Sequence, residues 1–293
     1  MVYAHLYRNE PHVILEKFRI FRHSRYKKIM EYENVLGRMP TELLNPVRYF
    51  LDMGDDFIIL NNLIGKEIEI SFNKYQCLSC GQDIPIFAQG MCKKCYFESP
   101  QTGEWVMKPE LSQAHLGKAD RDLAFEQEVQ LQPHIVYLAK TSDIKVGVTR
   151  QSQVPYRWID QGADEAVPIL KTPNRYLAGQ AEVLIKKHIT DKTGWQKMLK
   201  GISTNKNILE VKNQVKNYLP DELLSYWIDD AEPVKIHYPV HRYPEKVKSI
   251  QLDKTPEFKG KLTGIKGQYL IFDDGRVFNV RNHSGYVVQL HFD

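Results

Sequence analysis

Alternation of apolar and polar residues with a period of two marks several short strands, and a period near 3.6 marks a few helices. Val47-Arg-Tyr-Phe-Leu and Phe57-Ile-Ile-Leu read as strands on either side of the turn Met53-Gly-Asp-Asp56. Gly65-Lys-Glu-Ile-Glu-Ile-Ser-Phe72 alternates as a half-buried strand does. His134-Ile-Val-Tyr-Leu-Ala-Lys and Lys145-Val-Gly-Val-Thr-Arg150 form the next pair of strands, joined by a short turn. A helix starts near Pro155 and ends at Gly162, and a β-rich run follows. Asn174 caps a second helix whose apolar stripe is Leu177, Ala178, Ala181, Leu184, Ile185 and His188. Two short helices are expected over 207–219 and 221–229, and a hairpin over Tyr269-Leu-Ile-Phe272 and Arg276-Val-Phe-Asn-Val280, turned at Asp273-Asp-Gly275. The class is α+β. Its centre is a β-β-α-β-α block over 133–200, with small β-units at 36–75 and 257–293.

The strand pair assigns faces. Val136 and Leu138 share one side of the first strand, with Tyr137 on the other. Val146 and Val148 oppose Lys145, Gly147 and Thr149 in the second. With the aliphatic residues against the helices, Tyr137, Lys145 and Thr149 line an open side. Gly147 leaves that side bare for the close approach of a ligand backbone. Arg157 falls on the first helix, and Glu182 falls at the edge of the stripe on the second. Each residue also has an ordinary role. Tyr137 suits any strand, Glu182 and Lys186 make an i,i+4 pair, and Arg157 can bridge to Asp160 or Glu182.

The cysteines add a second centre. All four lie in Cys77-Leu-Ser-Cys80 and Cys92-Lys-Lys-Cys95, with Gly81 and Gly90 beside the knuckles. Two such knuckles complete a tetrahedral thiolate site for zinc in a zinc-ribbon-like module over 76–100. Four protein ligands close the coordination shell, so the metal is structural. Paired redox dithiols and an iron–sulfur cluster are the alternatives.

Of the 293 residues 42% are hydrophobic, and the net charge is +4. That mild basicity permits nucleic acid as a partner without demanding it. No apolar run approaches the roughly 20 residues of a membrane span, and Met1 to Glu10 lacks a signal-peptide core, so a cytoplasmic protein is the default expectation. In the basic segment 1–35, Lys17, Arg19, Arg22, Arg25, Lys27 and Lys28 are interleaved with Phe18, Phe21 and Tyr26. It reads as a solvated helix face or as a phosphate-contacting arm. Residues 101–132 are rich in acid and read as a surface tether. In 201–256 the two short helices precede a Pro-containing linker strapped over the surface.

The central block resembles the GIY-YIG nuclease core. Ile135-Val136-Tyr137 stands for the first motif triplet, Lys145-Val146-Gly147 for the second, and Arg157 and Glu182 for the family's arginine and metal-binding glutamate. Lys145 replaces the usual tyrosine. The run from His134 to Ala163, with the four cysteines before it, is similar to an uncharacterised bacterial family, recorded as a domain of unknown function, that couples a zinc motif to this core. That likeness covers roughly residues 36–200. The resemblance implies a divalent-metal-dependent endonuclease acting on DNA or RNA. Tyr137, Lys145, Arg157 and Glu182 would be catalytic, Gly147, Thr149 and Arg150 would touch substrate, and Glu182 would hold Mg²⁺ or Mn²⁺. The alternative is a non-catalytic DNA- or RNA-binding adaptor with a degenerate core.

Overall fold

The computed structural model describes residues 30–54, 56–189 and 194–292. The basic and aromatic cluster from Lys17 to Lys28 lies outside the described residues. The strands are β1 (Met30–Val35), β2 (Thr41–Glu42), β3 (Arg48–Met53), β4 (Asp56–Ile59), β5 (Glu67–Tyr75), β6 (His134–Lys140), β7 (Ile144–Arg150), β8 (Glu165–Thr172), β9 (Val234–Lys235), β10 (Lys248–Ser249), β11 (Glu257–Lys266), β12 (Tyr269–Phe272), β13 (Arg276–Asn279) and β14 (Tyr286–Phe292). The helices are α1 (Lys93–Glu98), α2 (Glu104–Met107), α3 (Leu123–Gln130), α4 (Tyr156–Asp160), α5 (Arg175–Lys186), α6 (Trp195–Leu199), α7 (Ile208–Lys216) and α8 (Asp221–Leu224).

The two terminal β-units share one sheet. Its seven strands run β1-β14-β5-β11-β12-β13-β10. Alternation in β5 decides its pairing. Ile68 and Ile70 point inward, matched by Phe258 and Gly260 of β11 and by Leu290 and Phe292 of β14. Glu67 and Glu69 take the opposite face. The β3–β4 hairpin forms a smaller sheet with β2, and its Tyr49 and Leu51 join the same core.

The central block has the expected element order, and its sheet runs β7-β6-β8-β9. Both faces of β6 are covered. Val136 and Leu138 pack with Ala178, Ala181 and Ile185 of α5 and Val211 and Val215 of α7. Ile135, Tyr137 and Ala139 pack into the core shared with the seven-stranded sheet. This corrects the open side expected for Tyr137. A strand reading Ile-Val-Tyr-Leu-Ala is apolar on both faces, which is the pattern of a strand buried on both faces. The block is also clamped to the large sheet by charge. Asp160 accepts from Arg38 at 2.9 Å and from Gln268 at 2.9 Å, and the Arg157 guanidinium also acts on it. Asp164 takes the buried Lys266 ammonium at 2.5 Å.

Two segments read as surface linkers are built in more deeply. In 101–132, Glu126 is 1% exposed and accepts the backbone N–H groups of Asp120, Arg121 and Asp122. The Arg121 guanidinium donates to the carbonyls of Tyr96 and Ser99, tying this strap to the cysteine module. A carboxylate that satisfies three orphan donors looks acidic in sequence but serves as a buried acceptor. In 231–256, Ile236, Ile250 and Leu252 are buried, and Tyr238 donates to the Ala163 carbonyl at 2.8 Å. Helix α6 was not expected. Its Met198 fills the space over Gly162, which closes α4 at φ +68°.

Candidate active site and metal centre

The cysteine centre is assembled by β5 and α1. Cys77 follows the end of β5, and Cys92 caps α1, its sulfur accepting the N–H of Cys95 at 3.5 Å. Cys77 Sγ accepts the N–H of Cys92 at 3.2 Å. Gly81 and Gly90 take φ values of +72° and +77°, which the reversal of each knuckle requires. The ligand atoms of Cys77, Cys80, Cys92 and Cys95 all lie within 4.8 Å of one another. A tetrahedral zinc–thiolate site places its sulfurs about 3.8 Å apart, so the cluster fits a structural zinc ion. Burial works against the Cys77 thiolate, but the N–H groups of Cys80, Cys92 and Ser79 outweigh it and bring this thiol down to about 7. The module docks on the large sheet where Gln76 donates to the Gly285 carbonyl at 2.8 Å. A Cβ at Gly285 would lie 2.6 Å from Ile86, so glycine there permits the contact.

The second site lies where β6, α4 and α5 meet. Tyr137 is wholly buried, with its hydroxyl donating to Gln161 Oε1 at 3.1 Å and its ring 6.0 Å from that of Trp158. Gly147 faces it across the strands. A Cβ at Gly147 would fall 2.6 Å from the tyrosine oxygen. The space expected for a ligand backbone therefore belongs to Tyr137, and the glycine is there to admit the ring. Burial raises the pKa of Tyr137, the positive charge of the Arg157 guanidinium draws it back, and the Glu182 carboxylate pushes it up again. Arg157 and Glu182 thus both sit within electrostatic reach of the phenol.

Glu182 is 6% exposed. Burial raises its pKa, and Lys186, 3.4 Å from Oε2, offsets part of this. Lys186 is the ion-pair partner of Oε2, which has no other polar partner among the described residues. Lys145 and Thr149 are also buried, on the same face of β7 as Gly147. Arg150, Arg157 and Lys186 are half-buried and give the site a basic rim.

Sequence reasoning missed three members. Arg175, the first residue of α5, donates to the carbonyls of Trp105 (3.2 Å) and Val106 (2.7 Å) and sits 5.5 Å from the Trp105 ring. Burial lowers its pKa to about 10, against the pull of Glu182 and Glu110. An arginine immediately after the Asn174 cap on the glutamate helix was a usable signal. Glu110 arrives on the strap, which no local pattern announces. His134 opens β6 fully buried. Its Nδ1 is 2.7 Å from the Gln132 carbonyl, and its Nε2 has no hydrogen bond among the described residues.

Burial, assisted by Arg175 and Arg150, holds the His134 pKa at about 4 against 6.5 for a free imidazole. Between those values the unfolded chain binds a proton that the folded chain refuses, so stability is lost as pH falls through this window. The loss is about 3 kcal/mol by pH 4. In denaturant unfolding at pH 7 and pH 4 the wild type should lose about that much more than His134→Asn. Equal losses would acquit His134.

A cavity of about 180 Å³ lies on the other side of Gln161, between Asp160, Trp195, Tyr269 and Arg281. Neither Tyr137 nor Glu182 lines it.

An α+β fold with a four-cysteine centre and a buried carboxylate ringed by basic groups defines the class. The chain belongs to DUF2797, a family described as proteins of unknown function, whose model matches residues 65–288. The match runs through the strands β11 to β13 and into β14, beyond the stretch over which the resemblance was drawn. No curated protein and no solved structure matches the chain. Among the described residues, no helix is long and apolar enough to cross a membrane.

Proposed function

We propose that this is a zinc-containing, divalent-cation-dependent phosphodiesterase of nucleic acids with a GIY-YIG-like core. One observation carries the reading. Arg157 of α4 and Glu182 of α5 each act electrostatically on the buried Tyr137 hydroxyl of β6, inside a basic rim. Arg157 pairs with the oxygens of the scissile phosphate in a bidentate fork. Tyr137, held by Gln161 and Arg157, orients the attacking water. Lys145 contributes positive charge in the place of the family's second tyrosine, and Thr149 and Arg150 extend the contact along the strand. Mg²⁺ or Mn²⁺ on Glu182 would supply Lewis-acid stabilisation of the leaving oxygen. The four thiolates hold zinc and brace the strap.

A second reading is a DNA- or RNA-binding adaptor that has lost the chemistry. It is favoured by the burial of Tyr137, whose hydroxyl is already engaged. One experiment separates the two readings. The protein is incubated with single-stranded and structured DNA and RNA in Mg²⁺ or Mn²⁺. Cleavage that Glu182→Ala and Arg157→Ala abolish supports the first reading. Salt-dependent binding without turnover supports the second, and cleavage indifferent to both substitutions overturns the site.

A further inference from the structure

We infer that Glu110 is a second carboxylate ligand of the cation held at Glu182, carried to it by the strap. The inference rests on the proposed cation site, and it adds a ligand that the resemblance does not supply. Gly179 and Glu182 are three residues apart on α5, hence on one face of that helix. Gly179 has no room for a side chain. The position its Cβ would take is in contact with Glu110 N and Pro109 C, and it is 2.8 Å from Glu110 Cα. The strap therefore lies directly on α5, one turn before Glu182, and Glu110 is the residue that it presents there.

Two further facts point to a ligand between the carboxylates. Glu182 is more than nine-tenths buried, and among the described residues its Oε2 has the Lys186 ammonium as ion-pair partner and accepts no hydrogen bond. Glu110 Oε2 is likewise shielded from solvent and has no hydrogen-bond partner among the described residues. Removing carboxylate oxygens from water is costly when one ammonium at 3.4 Å is all that answers them, and a second carboxylate nearby adds repulsion. In agreement, Glu110 pushes the Glu182 carboxyl up. A divalent cation removes both costs. Magnesium sites characteristically use one or two carboxylates and leave the remaining positions to water and substrate phosphate. Arg175 fixes the geometry, since the carbonyls it holds, Trp105 and Val106, lie a few residues before Glu110. Lys186 is the resident counter-charge that the cation would displace.

The test is titration of Mn²⁺ into the zinc-loaded full chain, followed by electron paramagnetic resonance, with zinc content checked before and after. The wild type should show one strong site, which Glu182→Gln and Glu110→Gln each weaken at least about tenfold. Without Mn²⁺ both variants should melt at or above the wild-type temperature, because each removes a repulsion. Should Glu110→Gln melt early, Glu110→Asp keeps an oxygen on a shorter stem and should bind Mn²⁺ less tightly than wild type. Wild-type affinity in both Glu110 variants, or no Mn²⁺ site in the wild type, overturns the inference. Loss in Glu182→Gln alone overturns the role of Glu110 and leaves the proposed cation site standing. If Mn²⁺ needs both carboxylates but no nucleic acid is bound or cut, the cation pair stands and the nuclease reading falls.

Discussion

Cys77→Ser should release about one zinc ion per chain and strongly destabilise the cysteine module. Structural zinc contributes on the order of 10 kcal/mol or more to the folding of small modules, comparable to the whole stability of a typical domain. Cys77 is the most buried of the four ligands, and its sulfur also accepts the N–H of Cys92, so serine there breaks both knuckles at once. The seven-stranded sheet has its own core and should survive. The loss should spread along one route. Arg121 anchors the strap to the carbonyls of Tyr96 and Ser99, beside the Cys92–Cys95 knuckle. Metal analysis and thermal melting are the measurements. Zinc lost with melting unchanged would contradict a structural role, and iron recovered in place of zinc would assign the cysteines to a cluster.

Glu182→Ala and Arg157→Ala should each lower phosphodiester cleavage by at least about 100-fold, which is ~2.7 kcal/mol of transition-state stabilisation. The folded state should tolerate both changes. The Glu182 carboxylate is buried at a cost, and Arg157 is half-exposed on a short helix. Tyr137→Phe is the cleanest companion. It keeps the ring over Gly147 and against Trp158 while removing the hydroxyl from Gln161. Single-turnover rates on a cleaved oligonucleotide decide. A variant that unfolds says nothing about chemistry, so melting curves accompany each rate.

Strand positions were legible wherever period-two alternation was clean, as in β5 and the β12–β13 hairpin, because one face of each strand meets the core. The Asn174 cap was legible because the local hydrogen bond to the Leu177 N–H is written in four residues. The burial of Tyr137 is implicit in the unbroken apolar run of β6, but the run does not say what covers its second face. What escaped was long-range. That 36–75 and 257–293 share a sheet depends on strand partners far apart in the chain. The strap's place on α5 depends on Gly179, whose missing side chain matters only once Glu110 is known to lie above it. Glu126 looked like solvent-facing acid because its donors, three backbone N–H groups, leave no mark in composition. Of the candidate site, Tyr137, Arg157 and Glu182 were readable from their order on the elements. Glu110 was not, since contact between a strap and a helix follows no period.

The pairing of β14 between β1 and β5 sets an order of events during synthesis. Met30 lies opposite Phe292, so β1 waits for a strand made long after it. Neither neighbour of β5 in its sheet, β11 or β14, exists when β5 leaves the ribosome. Residues 134–219, by contrast, hold most of a hydrophobic cluster formed among near neighbours, β6, β7, β8, α5 and α7. Contacts close in sequence form first. The middle of the chain should therefore fold before its beginning, and pulse-labelled amides in β6 and α5 should gain protection ahead of those in β5. β5 stays unpaired until β11 arrives and β1 until residues 286–292 do, and during that interval both are exposed to chaperones and to one another.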